Sequence, residues 1–156
     1  MLKGIPPILS PELLKILAEM GHGDELTIGD GNYPGHSLSD RVIRLDGHGV
    51  PEILDAILQV MPLDQYVEHP VALMQVMPGD TAETPIWDTY KEIVARHDER
   101  GAGAFEEVER FAFYDRTKEK SYVVIMSGET AIYAGLSIKE IIKIATTTRR
   151  MILAIF

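Results

Sequence analysis

A histidine between two glycines is the first group in this sequence with chemistry to offer. In Gly21-His22-Gly23-Asp24 no bulky neighbour flanks the ring, and glycine lets other groups approach the backbone closely. An unperturbed imidazole titrates near ~6.5, so it can give or take a proton at neutral pH. A lone histidine in a turn more often caps a helix end, and His22 by itself reads that way first. Asp30 follows a short apolar segment, at what would be the carboxyl end of a strand, where ligands gather in open α/β sheets. Its carboxylate could accept hydrogen bonds from sugar hydroxyls or orient a histidine. It could equally close an Asx-turn on its own backbone. The strand between His22 and Asp30 would span ~17 Å. The two meet only if that strand is shorter, or if the histidine loop folds back. Arg110 heads an aromatic block, Arg110-Phe111-Ala112-Phe113-Tyr114, and its guanidinium either sits beside a pocket or simply faces water.

Several other chemistries are excluded or weak. His22, Asp24, Asp30, His36 and His48 supply metal-ligand types, but their spacing matches no dense pattern. The chain has no cysteine, hence no thiolate and no disulfide. His36, His48, His69 and His97 have simpler readings as loop or helix-surface residues. Gly29-Asp30-Gly31 runs into Asn32-Tyr33-Pro34 where a helix should open, which fails the dinucleotide fingerprint. No nucleophile elbow is present. With 15 basic against 24 acidic residues and a net charge of -9, no basic stripe is available for nucleic acid. No stretch approaches the ~20 apolar residues of a membrane helix, and the start, with Pro6 and Pro7, does not read as a signal peptide. The expected location is cytoplasmic, with no membrane and no nucleic-acid partner.

The elements that must position these groups alternate between helix and strand. Ser10-Pro11-Glu12 is a helix start, and Leu13, Leu14, Leu17 and Met20 recur on one face. Glu25–Gly29 reads as a strand and residues 41–45 as a second. Val50-Pro51-Glu52 opens a second helix, closed by Pro62. The apolar run 71–77 suits a central strand covered on both sides. Thr84-Pro85 starts a third helix. Residues 110–118 read as helix, although Phe111, Phe113 and Tyr114 would also suit a strand, and residues 122–126 read as strand. The pattern predicts an α/β, three-layer sandwich: one domain with a Rossmann-like sheet flanked by helices. Residues 1–135 would form that domain. Residues 136–156 would be a basic tail, with Lys139, Lys143, Arg149 and Arg150 against the single acid Glu140. Ile138, Ile141, Ile142 and Ala145 fit a helical face there, but Thr146-Thr147-Thr148 weakens it, so helix and strand both stay open.

Taken together, the motifs resemble the L-fucose mutarotases, which group with the D-ribose pyranases. Met1-Leu2-Lys3-Gly4-Ile5-Pro6, Ser10-Pro11-Glu12-Leu13-Leu14-Lys15 and Ala18-Glu19-Met20-Gly21-His22-Gly23-Asp24-Glu25 form the opening block. The segment 30–34, Val42-Ile43-Arg44, Gly79-Asp80-Thr81, the Arg110 block and Gly128-Glu129 with residues 130–133 continue the match in order. It covers roughly residues 1–134, and the Arg-Phe-Ala-Phe-Tyr block is of the fucose type. The resemblance implies a sugar mutarotase that needs no cofactor and no metal. It implies a ring-shaped homo-oligomer, usually a decamer, with sites between neighbouring subunits. It assigns proton donation to His22 and sugar contacts to Asp30 and Arg110. A Tyr-x-Asn segment of the family falls on Tyr133, Ala134 and Gly135. The last of these lacks the amide, which puts one sugar contact in doubt.

The residues fit that chemistry. A pyranose opens when its anomeric hydroxyl loses a proton and its ring oxygen gains one, and it recloses in either configuration. Acid–base help of this kind is typically worth ~10² to 10⁴-fold. The expected catalytic groups are therefore His22 and Tyr133, with Asp30, Arg110, Tyr133, Ala134 and Gly135 holding a monosaccharide, L-fucose foremost. The alternatives are a non-catalytic monosaccharide binder, a D-ribose pyranase-type activity, or an oligomer whose site has decayed at Gly135. Phe111, Phe113, Tyr114 and Trp87 exceed what one small core obviously needs. A homo-oligomer larger than a dimer is expected, with Tyr133 near a subunit boundary.

Overall fold

Ser10 starts the first helix as its side chain predicts: its hydroxyl oxygen accepts the Leu13 N–H at 3.2 Å. Helix α1, Pro11–Glu19, then buries Leu13, Ile16 and Leu17. These elements come from a computed structural model that describes residues 2–140. Strands β1 (Glu25–Gly29), β2 (Val42–Leu45), β3 (Val71–Met74) and β5 (Ser121–Ser127) and helices α3 (Val50–Leu58), α4 (Pro85–His97) and α5 (Arg110–Lys120) follow the expected alternation. The run 71–77 stays in strand only as far as Met74; Gln75 N–H still reaches Val108 O at 2.8 Å before Pro78-Gly79 turns the chain. The aromatic block is helical because Glu109 caps it. Its carboxylate accepts the N–H groups of Phe111 at 2.9 Å and Ala112 at 3.0 Å, which suits the positive end of a helix.

Three elements were not expected from the pattern, the short helix α2 (Gly35–Leu38), a 3₁₀ turn at Gly101–Ala104 and strand β4 (Phe105–Val108), and strand β6 (Leu136–Lys139) begins the segment left open between helix and strand. β6 matters most. The six strands run β2-β5-β1-β6-β3-β4, and β6 lies antiparallel between β1 and β3. Leu136, Ser137 and Ile138 are buried there, so the sheet takes in the first four residues of the segment expected as a tail. Ser137 Oγ lies 3.2 Å from both Leu26 O and a Glu25 carboxylate oxygen. The rest of the expected tail, including Ile141, Ile142, Lys143, Ala145, Arg149 and Arg150, lies outside the described residues.

Side chains alternate across the strands and divide the core in two. Leu26, Ile28, Val71, Leu73, Val123 and Ile125 face the larger half, with residues of α1, α3 and α4. Ala72, Met74, Val124 and Met126 face the smaller half, with Tyr33 and Phe113. This is the expected α/β three-layer, single-domain arrangement. Of the four aromatics expected in surplus, Trp87 and Phe113 are buried in the core, whereas Phe111 is 62% exposed. The surplus is therefore smaller than expected, because α4 and α5 turn those two rings inward.

Candidate active site

A cavity of about 280 Å³ opens where β1, β3 and β5 end, lined by Asp30, Tyr33, Asp80, Arg110, Tyr114 and Tyr133 among others. Each group is placed by an element boundary. Asp30 is the first residue after β1, and Arg110 is the first residue of α5. Asp80 follows the turn after β3, and Tyr133 lies between β5 and β6.

Asp30 closes the Asx-turn of one of its readings and also borders the cavity. One carboxylate oxygen accepts the Asn32 N–H at 3.0 Å, an Asx-turn, and the residue also forms part of the cavity wall. Burial pushes its carboxyl above the usual range, with backbone N–H groups pulling it partly back. Arg110 is held beside the cavity: Nε donates to the Tyr114 hydroxyl at 3.2 Å, and the guanidinium lies 5.7 Å from the Tyr114 ring centre. Tyr33 turns its hydroxyl away from the cavity, to Thr117 Oγ1 at 2.7 Å. Burial drives that phenol far above its ordinary pKa. It stays neutral and meets the cavity with its ring, packed edge-on against Tyr114.

Tyr133 has a φ of 55°, the one positive value at a non-glycine among the described residues. Such a conformation costs ~1–3 kcal/mol and persists only when its surroundings hold it. Here α4 supplies the hold. Trp87 Nε1 donates to Tyr133 O at 2.8 Å, and the Tyr90 hydroxyl donates to Ala134 O at 2.8 Å. The Tyr133 hydroxyl donates to Asp80 Oδ2 at 2.6 Å.

Of the expected site residues, the fold brings Asp30, Arg110 and Tyr133 together. Ala134 and Gly135 are buried behind Tyr133 and are not among the cavity walls. His22 is elsewhere: it precedes β1, whereas Asp30 follows it, and its ring rests edge-on against Tyr66, 6.4 Å between centres. The strand between them is not short and the histidine loop does not fold back, so within one chain the two do not meet. Asp80 and Tyr114 escaped the sequence reading as site residues, although both sit in segments that carried the resemblance. A larger hollow of about 590 Å³ lies at the opposite end of the sheet, among Asp24, Asp40, Arg41, Lys118 and Lys120. None of the expected site residues lines it. Among the described residues no three His, Asp or Glu side chains are grouped so as to hold a metal ion.

Comparison with known proteins adds an independent line. Residues 3–141 match the RbsD / FucU transport protein family. The L-fucose mutarotase of Actinobacillus pleuropneumoniae serotype 5b (strain L20) is 49% identical over 140 residues, 90% of this chain and 96% of that protein. The crystal structure of FucU from Bifidobacterium longum superposes with a TM-score of 0.88 at 56% identity, covering 90% of this chain and 99% of that one. The fucose mutarotase of Streptococcus pneumoniae, solved in complex with L-fucose, superposes with a TM-score of 0.86 at 41% identity, covering 92% and 100%.

Proposed function

This chain belongs to the RbsD / FucU transport protein family, and on that footing we propose that it is an L-fucose mutarotase, an isomerase that interconverts the α and β anomers of the free sugar. The observation that carries the reading is the convergence of Asp30, Arg110 and Tyr133 on one cavity. Asp30 and Arg110 hold sugar hydroxyls, the first as acceptor and the second as donor. Tyr133 faces the anomeric hydroxyl. The similarity to a fucose mutarotase solved with L-fucose supports this choice of sugar.

Ring opening then needs two proton movements. The anomeric O–H passes its proton to Tyr133 or a water as relay, the C1–ring oxygen bond breaks, and the ring oxygen takes a proton from an acid. The aldehyde rotates about C1–C2 and the steps reverse. His22 is the acid in this reading, and it has to come from a neighbouring copy, because in its own chain it lies beyond the far end of β1. Exposed apolar groups support such a contact. Phe111 and Ile132 flank the cavity with 62% and 58% exposure, and Tyr66, beside His22, is 67% exposed. One end of the molecule meeting the other end of the next copy is a heterologous contact, the kind that builds a ring when its rotation closes. The reading therefore includes a homo-oligomer, a decamer as the resemblance implies, and a cytoplasmic location.

Exchange NMR of the anomeric protons tests the function. The protein is expected to speed α/β interconversion of L-fucose well above the buffer rate, and more than it does for D-ribose. A sugar that binds with no gain in rate would make this a carrier instead. A faster rate on ribose would move the activity to the pyranase side.

A further inference from the structure

We propose that Asp80 is a positioning residue for this reaction: it holds the Tyr133 phenolic hydrogen in a hydrogen bond and so fixes the phenol as an acceptor toward the sugar. The proposal rests on the mutarotase reading above. A neutral phenol can donate to a sugar hydroxyl or accept from it, and only acceptance helps an anomeric O–H that must lose its proton. Asp80 removes that ambiguity. Its Oδ2 takes the Tyr133 hydroxyl at 2.6 Å, a short, charge-assisted bond. Its Oδ1 is tied to the Ala82 N–H at 2.9 Å, which fixes the direction of the carboxylate. Met77 N–H approaches the same phenol oxygen at 3.4 Å, so the hydroxyl meets one acceptor and one donor from the chain after β3. The phenol in turn keeps the Asp80 carboxyl below its ordinary range, and the acceptor remains ionised. Both residues line the cavity together with Arg110. No feature of the sequence pairs them, since they lie on separate loops.

The test is a mutant cycle read by exchange NMR on L-fucose. Asp80→Ala is expected to lower the maximal rate about tenfold, with half-saturation changed less than about twofold. Asp80→Asn keeps the turn, its one oxygen on the Ala82 N–H, but points an amide NH2 donor at the Tyr133 hydroxyl, and is expected to be as slow as Asp80→Ala. In a Tyr133→Phe background, Asp80→Ala is expected to cost nothing further. An equal loss in both backgrounds would show that Asp80 acts through its turn alone. An Asp80→Asn rate near wild type would show that the turn, not acceptance from Tyr133, is what matters. Either result, or a wild-type rate for Asp80→Ala, overturns the proposal. Failure of the underlying reading is seen separately, as a wild-type protein that does not speed exchange, and it removes the proposal with it.

Discussion

Asp30 uses one carboxylate for two purposes, closing a turn after β1 and facing the cavity. Its partial burial has a consequence for pH. Because burial raises its pKa, Asp30 takes up a proton on acidification sooner than an exposed aspartate would. The charge proposed to accept sugar hydroxyls is then lost above the ordinary carboxylate range. Half-saturation for L-fucose is expected to rise as pH falls toward that range, and a titration of half-saturation against pH checks it. Asp30→Asn should bind weakly and show little of this dependence; a wild-type profile in that variant would remove Asp30 from sugar binding. Gly135 is a second residue-scale case. A Cβ there would meet Tyr33 Cδ2 at 3.5 Å, ordinary van der Waals contact. Gly135→Asn is therefore expected to fold and to exchange anomers faster than wild type. An unchanged rate would show that the missing amide is no handicap.

Helix α5 carries Arg110 to the cavity, and its seating depends on a second arginine one face over. Arg116 donates twice to Glu25, at 2.7 and 3.1 Å, and once to Glu106 at 2.6 Å. Glu25 is 2% exposed. Removing one member of a buried pair strands the other charge, at ~3–5 kcal/mol. Arg116→Leu is thus expected to lose about 3 kcal/mol of unfolding free energy, read from urea denaturation; a loss below about 1 kcal/mol would mean the pair is as weak as a surface one. This cluster shows where the sequence stopped being legible. Glu25, Glu106 and Arg116 stand on three elements, and no spacing joins them. β4 was missed because Glu106 and Glu107 break its apolar pattern, and β6 stayed open because Ile138, Ile141, Ile142 and Ala145 also fit a helical face. By contrast β1, α1 and α4 were plain, since caps, prolines and apolar periodicity agreed. Asp30 and Arg110 were legible for the same reason: each occupies an element boundary that local residues announce. The Asp80–Tyr133 pair was not, because it exists only once two loops are folded together.

At the scale of the whole molecule, the groups proposed to bind and the group proposed to protonate stand at opposite ends. The cavity lies where β1 finishes, and His22 lies before it begins. On that proposal a single chain holds two half-sites, and a second copy joins them. Light scattering is expected to find an assembly larger than a dimer, and a catalytically active 17.4 kDa monomer would contradict it. Complementation tests the shared site most directly. His22→Ala lacks the acid, and the double variant Asp30→Ala with Arg110→Ala lacks the sugar grip; each alone should leave L-fucose exchange near the buffer rate. When the two are co-expressed and assemble at random, about one quarter of the contacts pair an intact His22 with an intact cavity. Exchange NMR on the mixed assembly is predicted to recover roughly that share of the wild-type rate. A mixed assembly no faster than the separate variants would show that His22 and the cavity do not serve one another across copies.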